Sequence, residues 1–219
     1  MNRRVFIQGA GLITFLLSGC GLALQSSDAQ TADQTSKGGD KMKITIITGS
    51  PHKNGTSALL ADKFIEGSQK AGHEVFRFNA AFEDIHPCLG CDRCGMNGPC
   101  VHQDAIAKKL QPELIAADLV VFVTPLYYFG MSAQLKTVID RFYASNVKLS
   151  GSGKKAILMA TAYDDKDWTM SVLTQHYQTV VKYLGWEDIG TVLAVGCGSR
   201  PLIERSEFPE QAYQMGLKI

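Results

Sequence analysis

The sequence KITIIT at Lys43–Thr48 is followed directly by GSP at Gly49–Pro51, and this junction indicates the fold class. The β-branched side chains of KITIIT predict a buried strand, and the Gly-Ser-Pro segment predicts a tight loop at the carboxyl end of that strand. From Thr56 to Ala71 apolar residues recur at helical spacing and stop at Gly72, which predicts a helix. A strand that passes through a short loop into a helix is the first half of a βαβ unit, so a parallel sheet is expected.

The same alternation of strand and helix continues along the chain. Further strands are predicted at Glu74 to Phe78, Leu119 to Val123, Ala156 to Thr161 and Gly190 to Val195. Further helices are predicted at Ala105 to Ala116, Ser132 to Tyr143, Trp168 to Leu184 and about Pro209 to Leu217. Right-handed crossovers place helices on both faces of a parallel sheet. The predicted fold class is therefore α/β, a flavodoxin-like, three-layer, doubly wound sheet of five parallel strands in the order 2-1-3-4-5, which binds ligands where the winding switches between strands 1 and 3.

Composition and charge narrow the function classes. The chain has 219 residues, of which 45% are hydrophobic and 20% charged, so it is an ordinary globular protein and neither disordered, collagen-like nor a coiled coil. A formal net charge of +1 offers no basic field to hold a polyanion, and no nucleic-acid partner is expected.

The amino terminus has the features of an export signal. Arg3 and Arg4 precede an apolar run from Gly9 to Leu17, which predicts a signal peptide over residues 1–19. The sequence LSGC that ends at Cys20 resembles the lipobox of bacterial lipoproteins, and the arginine pair resembles a twin-arginine (Tat) signal. These resemblances imply an exported, membrane-anchored lipoprotein that faces the periplasm or the cell exterior, with the membrane contact made through a lipid on Cys20. The alternative is an uncleaved membrane helix from Val5 to Leu24.

A polar segment separates this signal from the predicted domain. Residues 25–40 consist almost entirely of Ser, Asp, Gln, Thr, Lys and Gly, a composition typical of a flexible linker. The sequence thus predicts a signal peptide at 1–19, the lipidated Cys20 with its linker at 20–41, and a folded domain at 42–219.

The loop after the first strand, GSPHKNGTS at Gly49–Ser57, has the composition of an anion site. Hydroxyl and amide side chains, free backbone N–H groups and the positive end of a helix dipole together favour a phosphate group. The loop lacks the spacing of a Walker loop or a Gly-x-Gly-x-x-Gly fingerprint, which disfavours ATP and a Rossmann-bound dinucleotide. The alternative is that Ser, Thr and Asn only cap the helix.

The loop after the third strand, TPLYYFGMS at Thr124–Ser132, places three consecutive aromatic residues at the mouth of the sheet. Exposed aromatic rings are costly unless they cover a flat apolar group, such as a flavin ring. The alternative is that they pack into a subunit interface.

Together, these two loops and the sequence from Ala133 to Lys136 with Asp140 and Arg141 resemble the NADPH-dependent FMN reductase superfamily, including its iron-sulfur flavoprotein branch and related quinone reductases. The similarity extends over about residues 42–219 and implies FMN as the cofactor. The residues implied for its phosphate are Ser50, His52, Asn54, Thr56 and Ser57. Those implied for its ring are Pro125, Leu126, Tyr127, Tyr128, Phe129, Gly130 and, from a third loop after strand 4, Ala162.

Four cysteines crowd into one segment, CLGCDRCGMNGPC at Cys88–Cys100. The spacing of Cys88, Cys91, Cys94 and Cys100 lets four thiolates face one centre, as a 4Fe-4S cluster requires, and it resembles that of iron-sulfur flavoproteins. A structural zinc would accept the same ligands, and disulfides are favoured outside the cytoplasm. Cys197 stands alone and is predicted to be a buried structural thiol.

The resemblance implies an FMN-dependent oxidoreductase. Relatives pass electrons from a nicotinamide or a carrier protein to quinones and other small acceptors, so NAD(P)H or a redox partner protein is the expected donor and a quinone or other small molecule the expected acceptor. Because nicotinamides are cytoplasmic, export favours the partner protein. No side-chain nucleophile is needed, so no catalytic residue is predicted. The alternative is a non-catalytic, lipid-anchored electron carrier with its cysteines as disulfides or zinc ligands, and analogy implies a homodimer or homotetramer.

Overall fold

The computed structural model describes residues 41–219 and contains a five-stranded, all-parallel sheet. The strands are β1 (Lys43–Thr48), β2 (Glu74–Asn79), β3 (Leu119–Pro125), β4 (Lys155–Thr161) and β5 (Glu187–Ala194). Their order is β2-β1-β3-β4-β5, which confirms the predicted fold class. The strand order reverses direction between β1 and β3, so the carboxyl edge at this point is the expected ligand site.

Helices cover both faces of the sheet. They are α1 (Thr56–Lys70), α2 (Gln111–Ala116), α3 (Ala133–Asp140), α4 (Asn146–Leu149), α5 (Ser171–Leu184), α6 (Arg200–Glu204) and α7 (Phe208–Lys218). Among residues 41–219, no helix combines the length and the apolar character that a bilayer crossing needs. The predicted signal peptide, Cys20 and nearly all of the linker lie outside the described residues.

The two faces of the sheet are filled by alternate residues of the same strands. Ile46 of β1 is paired with Val121 of β3, and both join the core beneath α1 and α7. The next pair, Ile47 and Phe122, points to the opposite core, beneath α2, α3 and α5. Side chains in a strand alternate between faces, so a central strand buried on both sides is expected to be largely apolar, as β3 is from Leu119 to Val123.

Several element boundaries differ from the sequence prediction. β5 begins at Glu187, three residues before the predicted Gly190, and the helix expected from Ala105 opens with a π-helical turn at Ile106–Leu110 before α2. The helix expected to reach Tyr143 ends at Asp140 and tightens into a 3-10 segment, Arg141–Ser145, that leads into α4. Tightening the last turn is a common way to satisfy carbonyl groups at a helix end.

Candidate functional site

The loop at Gly49–Ser57, the phosphate-type loop, leads into α1, and no side chain caps this end of the helix. The N-cap residue is Gly55, no side-chain hydrogen bond caps the helix, and its first turn contains no acidic residue. Ser50, which could have served as a cap, instead accepts a hydrogen bond from the backbone N–H of His52 (3.2 Å). Uncapped N–H groups at the positive end of a fifteen-residue helix form a site for an anion. This local geometry favours the phosphate interpretation of the loop over the capping alternative.

Hydrogen bonds join the three predicted loops at the carboxyl edge of the sheet. The hydroxyl groups of Thr56 and Thr161 lie 2.9 Å apart, which links the first loop to the third. The backbone N–H of Leu126 donates to the carbonyl of Thr161 (2.8 Å), which links the second loop to the third. The sheet thus brings together segments that lie more than 100 residues apart in sequence.

The first and second loops touch at Gly49 and Ser132. The Ser132 hydroxyl donates to the Gly49 carbonyl (2.8 Å) and accepts from the N–H of Leu135, so it also caps α3. A Cβ atom on Gly49 would stand 2.2 Å from Ser132 Oγ and 2.7 Å from Leu135 Cβ. Glycine is therefore required at this junction, because any side chain would push the phosphate-type loop away from α3.

The loop at Thr124–Ser132, the aromatic loop, makes a tight turn through two residues whose backbone is in the left-handed conformation. Tyr127 and Gly130 exchange two backbone hydrogen bonds (3.1 and 3.0 Å), and the residues between them, Tyr128 and Phe129, have φ angles of 47° and 62°. Positive φ at consecutive bulky residues is costly and persists only where the surroundings impose it. The turn leaves the Tyr128 side chain fully exposed and also exposes Tyr127 and Phe129. Such strain at the mouth of the sheet is typical of a binding site.

Two further segments support this mouth and were not predicted from the sequence. The ring of Trp168 lies 5.0 Å from that of Phe129. The loop after β5 packs under the loop after β4, where the N–H of Cys197 donates to the carbonyl of Ala162 (2.8 Å). A Cβ atom on Gly198 would lie 2.1 Å from the ring of Tyr163, so this contact also needs glycine. The sequence predicts Trp168 only as the start of a helix, and no motif marks the loop after β5; only their places after β4 and β5 could have drawn attention to them.

A polar cavity of about 380 Å³ lies beside the phosphate-type loop, on the β2 side. Its walls include Ser50, His52 and Lys53 from the loop, together with Arg77 of β2. Lys53 Nζ lies 5.2 Å from the ring centre of Phe82, which also lines the cavity. The Arg77 guanidinium is paired with the carboxylate of Asp62, so the charge of Lys53 is the one that adds to the field of the α1 terminus and favours a negatively charged ligand here.

The four clustered cysteines surround a single open cavity. Cys88, Cys91, Cys94 and Cys100 all line a space of about 530 Å³, and none of them is in a disulfide. The N–H of Gly90 donates to Cys88 Sγ (3.4 Å), the kind of contact that stabilises a thiolate or a ligated sulfur. Among residues 41–219, no group of three or more His, Cys, Asp or Glu side chains is arranged around a single metal-ion position. The donor set fits a thiolate-ligated centre, and the thiols stand around the cavity without meeting at one point.

The cysteine cavity lies away from the loops that join at the carboxyl edge. Asp140 and Tyr143, at and just beyond the end of α3, line this cavity, whereas Ser132 at the start of α3 contacts Gly49. The eight-residue helix separates the two ends by about 12 Å. Because the cysteine segment follows β2, the sequence predicts it at the same carboxyl edge of the sheet as these loops. The structure corrects this prediction, because the cavity lies at the far end of α3. The chain leaves β2 through a 3-10 turn, Ala80–Phe82, and by His86 it has reached Arg141, the residue directly after α3.

A buried ion pair lies beneath the cysteine segment. The guanidinium of Arg141 donates to the carboxylate of Asp104 (2.8 and 3.3 Å), and both side chains are almost fully buried. The same guanidinium donates to the carbonyls of His86 (2.8 Å) and His102 (3.2 Å), whose rings stack 5.0 Å apart. Burial by itself raises the pKa of Asp104, but hydrogen bonds from Arg141 and from two backbone N–H groups outweigh it and hold the pKa below its ordinary value.

One donor of that guanidinium stays without a partner. Arg141 Nε makes no hydrogen bond within residues 41–219, although it is buried. Arg141 and Cys100 both line a cavity of about 10 Å³, which is the size that a single water needs. The remaining cysteine, Cys197, is buried as predicted, and burial raises the pKa of its thiol.

Comparison with known proteins places the chain in a family. Residues 42–199 match the family model of NADPH-dependent FMN reductases. An iron-sulfur flavoprotein of Archaeoglobus fulgidus is 30% identical over 182 residues, which cover 81% of this chain and 79% of the relative. An iron-sulfur flavoprotein of Methanocaldococcus jannaschii is 33% identical over 100 residues, which cover 46% of this chain and only 51% of the relative.

A solved structure agrees with the fold. An NAD(P)H:quinone oxidoreductase from Methanothermobacter marburgensis superimposes with a TM-score of 0.64 at 17% identity, over 81% of this chain and 95% of that one. At this identity the likeness shows the fold alone. The family match covers the loops described above and confirms the predicted family and cofactor. The chain belongs to the NADPH-dependent FMN reductase family, so it is a flavin-dependent oxidoreductase with FMN as its cofactor.

Proposed function

We propose that FMN binds where the three loops meet, with its phosphate at the start of α1 and its ring beside the aromatic turn. The phosphate ligands are the backbone N–H groups of the first turn of α1 with the side chains of Ser50, His52, Asn54, Thr56 and Ser57. The ring lies along Pro125 to Gly130, with Ala162 of the third loop completing the site. One observation carries this proposal: the uncapped terminus of α1 and the strained aromatic turn are held together by the contacts of Thr161 with Thr56 and Leu126.

In this proposal the bound FMN supplies the electron-transfer chemistry, and the chain positions it. The first loop binds the phosphate through N–H groups and the partial positive charge of the helix terminus. The aromatic residues shield one side of the ring from water, while the exposed Tyr128 leaves room for a flat acceptor to approach. We propose a quinone or another small molecule as the acceptor, in keeping with the quinone oxidoreductase that shares the fold.

Replacing Asn54 by aspartate tests the phosphate position. Asn54 is exposed and immediately precedes the N-cap Gly55, so an added carboxylate would favour the helix terminus by about 0.3–1 kcal/mol. The same charge would repel a bound phosphate, and at about 4 Å near a protein surface this repulsion corresponds to about a tenfold or greater loss of FMN affinity. We therefore expect a slightly higher thermal midpoint without FMN together with weaker FMN binding, measured by flavin fluorescence. Asn54→Ala is the matched control, and an unchanged FMN affinity in Asn54→Asp would rule out phosphate at this terminus.

We propose a thiolate-ligated iron-sulfur cluster, of the 4Fe-4S type, for the cysteine centre. Cys88, Cys91, Cys94 and Cys100 would hold it, and when bound it supplies one-electron transfer. The shared cavity and the Gly90 N–H directed at Cys88 Sγ support this proposal, and two archaeal relatives are named iron-sulfur flavoproteins. Iron and sulfide analysis of protein purified without oxygen would distinguish this cluster from zinc or disulfides.

We propose that the domain works outside the cytoplasm, tethered through a lipid on Cys20 and assembled as a homodimer or homotetramer. The signal-like residues 1–19 and the polar segment up to residue 40 support the export and the tether, whereas the oligomeric state is proposed by analogy with relatives. Replacing Cys20 by serine is expected to move the expressed protein from the membrane fraction to the soluble fraction. A variant that stays in the membrane would instead support an uncleaved helix.

An exported enzyme meets little NADPH, so we propose that a reduced partner protein is the donor. Mixing the purified protein with NADPH is expected to bleach the flavin slowly, whereas a reduced low-potential carrier is expected to bleach it quickly. Stopped-flow absorbance would measure both rates. Rapid bleaching by NADPH alone would contradict the proposal.

A further inference from the structure

The ion pair between Arg141 and Asp104 ties together the two ends of the cysteine segment, Cys88–Cys100. His86 precedes the first cysteine by two residues and His102 follows the last by two. One guanidinium donates to the backbone carbonyls of both, at 2.8 and 3.2 Å. Asp104 accepts a hydrogen bond from the N–H of His86 (2.9 Å), so both members of the pair hold the chain where it enters the segment.

Both members of the ion pair lie outside the cysteine segment. Arg141 directly follows α3, and Asp104 precedes the helical turn that leads into α2. Both side chains are almost fully buried. The rings of His86 and His102 are stacked, which also holds the chain before Cys88 beside the chain after Cys100. Arg141 also shares the wall of the small cavity behind Cys100. The closure is therefore made by groups of the chain that lie outside the cysteine segment.

Closing a loop costs conformational entropy, whatever group closes it. A loop closed by the surrounding protein brings its thiols near one another before any ligand is present, so the ligand no longer bears that cost. We propose that Arg141 and Asp104 are positioning residues for the cysteine centre, which they gather into a site for a thiolate-bound group. The inference rests on the proposed thiol centre and is independent of which group fills it.

Arginine suits this position better than lysine. Reaching one carboxylate and two carbonyls from a single side chain requires several N–H donors in a fixed planar fork. A lysine ammonium would keep the charge beside Asp104 but could not hold both carbonyls in the same geometry. Arg141→Lys is therefore expected to retain part of the effect.

The test uses the FMN-loaded full chain, freed of metal by a chelator, with its thiols reduced, and titrated with Cd²⁺ alone. Cd²⁺ is a soft ion that binds thiolates whatever the native occupant of the site. Removing one member of a buried ion pair can unfold a protein, whereas replacing both by apolar residues of similar volume is often tolerated. The central variant is therefore Arg141→Met/Asp104→Leu, with Lys109→Gln, which breaks an exposed ion pair with Glu83 nearby in the sequence, as the control.

We expect the double variant to bind Cd²⁺ about 10 to 100 times more weakly than the wild type, because changes to residues that orient metal ligands have effects of this size. The FMN content of the double variant stays the same, and hydrogen exchange of its amides at 88–100 becomes faster. The Cd²⁺ affinity of Arg141→Lys falls between those of the wild type and the double variant, and that of Lys109→Gln matches the wild type. Equal Cd²⁺ affinity in the double variant and the wild type would overturn the inference, and so would a wild type that takes up no Cd²⁺. Loss of FMN together with Cd²⁺ would also overturn it, because the pair would then act on the whole domain. Protein that lacks iron and sulfide as purified but shows the expected Cd²⁺ affinities would reject only the proposed cluster.

Discussion

Replacing Asp104 by asparagine is expected to lower the free energy of unfolding by about 3–5 kcal/mol. The side chains of Asp104 and Arg141 are only 3% and 2% exposed, so the substitution leaves a guanidinium buried without its counter-charge. Breaking a surface pair such as Lys109 with Glu83 changes stability by about 0–1 kcal/mol, so Lys109→Gln is the matched control. Urea unfolding of both variants would measure the difference, and equal losses would contradict the role of burial.

The same carboxylate predicts how acid affects stability. Hydrogen bonds hold the pKa of Asp104 in the folded protein below its ordinary value of 3.8. A group with a lowered pKa in the folded state stabilises the protein above its unfolded pKa, and this contribution disappears as the pH falls through the folded pKa. The difference in stability between wild type and Asp104→Asn is therefore expected to be full at neutral pH and to shrink below about pH 4.

The second large effect is expected from Gly49→Ala, which should weaken FMN binding by about 100-fold or more. The new Cβ atom would overlap Ser132 Oγ, at 2.2 Å, and approach Leu135 Cβ, at 2.7 Å. Both neighbours belong to the tightly packed start of α3, so the phosphate-type loop must move. Loss of two hydrogen bonds to the charged phosphate, at about 1.5–3 kcal/mol each, corresponds to about 100-fold or more in affinity. Fluorescence titration with FMN measures the loss.

Stability measurements separate this local effect from unfolding. Overpacking at one position typically costs about 1–3 kcal/mol, so Gly49→Ala should stay folded at room temperature. A far-ultraviolet circular dichroism spectrum like that of the wild type would confirm it. A folded variant that binds FMN as tightly as the wild type would show that the junction between Gly49 and Ser132 does not shape the flavin site.

Runs of β-branched and apolar residues make the central strands β1 and β3 predictable, whereas the start of the edge strand β5 is not. β1 and β3 are covered on both faces, and their sequences, KITIIT and LVVFVTP, consist mostly of β-branched or apolar residues. β5 lies at the edge of the sheet and begins with Glu187 and Asp188, which look like loop residues. In the structure the Asp188 carboxylate accepts from Tyr177 Oη (2.9 Å) and from the N–H of Gly190 (3.1 Å), next to a register shift between β4 and β5. A tertiary contact thus holds the charged residue in the strand.

The candidate site was predictable where it consists of continuous loops. The loops at Gly49–Ser57 and Thr124–Ser132 end parallel strands, and topology alone brings them together. Arg141 and Asp104 are 37 residues apart, and no spacing rule connects them. The contact of Phe129 with Trp168 likewise crosses between loops whose conformations depend on tertiary packing. No pattern in the sequence indicates that the segment after β2 reaches Arg141, just past the end of α3, before its first cysteine.

Titration of the flavin-free full chain with FMN and, separately, with riboflavin tests whether the start of α1 holds the FMN phosphate. The two differ only in the phosphate, which in this account is held by the N–H groups at the start of α1. At least two charge-assisted hydrogen bonds to that phosphate correspond to an affinity difference of about 100-fold or more. We predict one tightly bound FMN per chain and far weaker binding of riboflavin. Equal affinity for the two flavins, or no binding of FMN, would contradict the account.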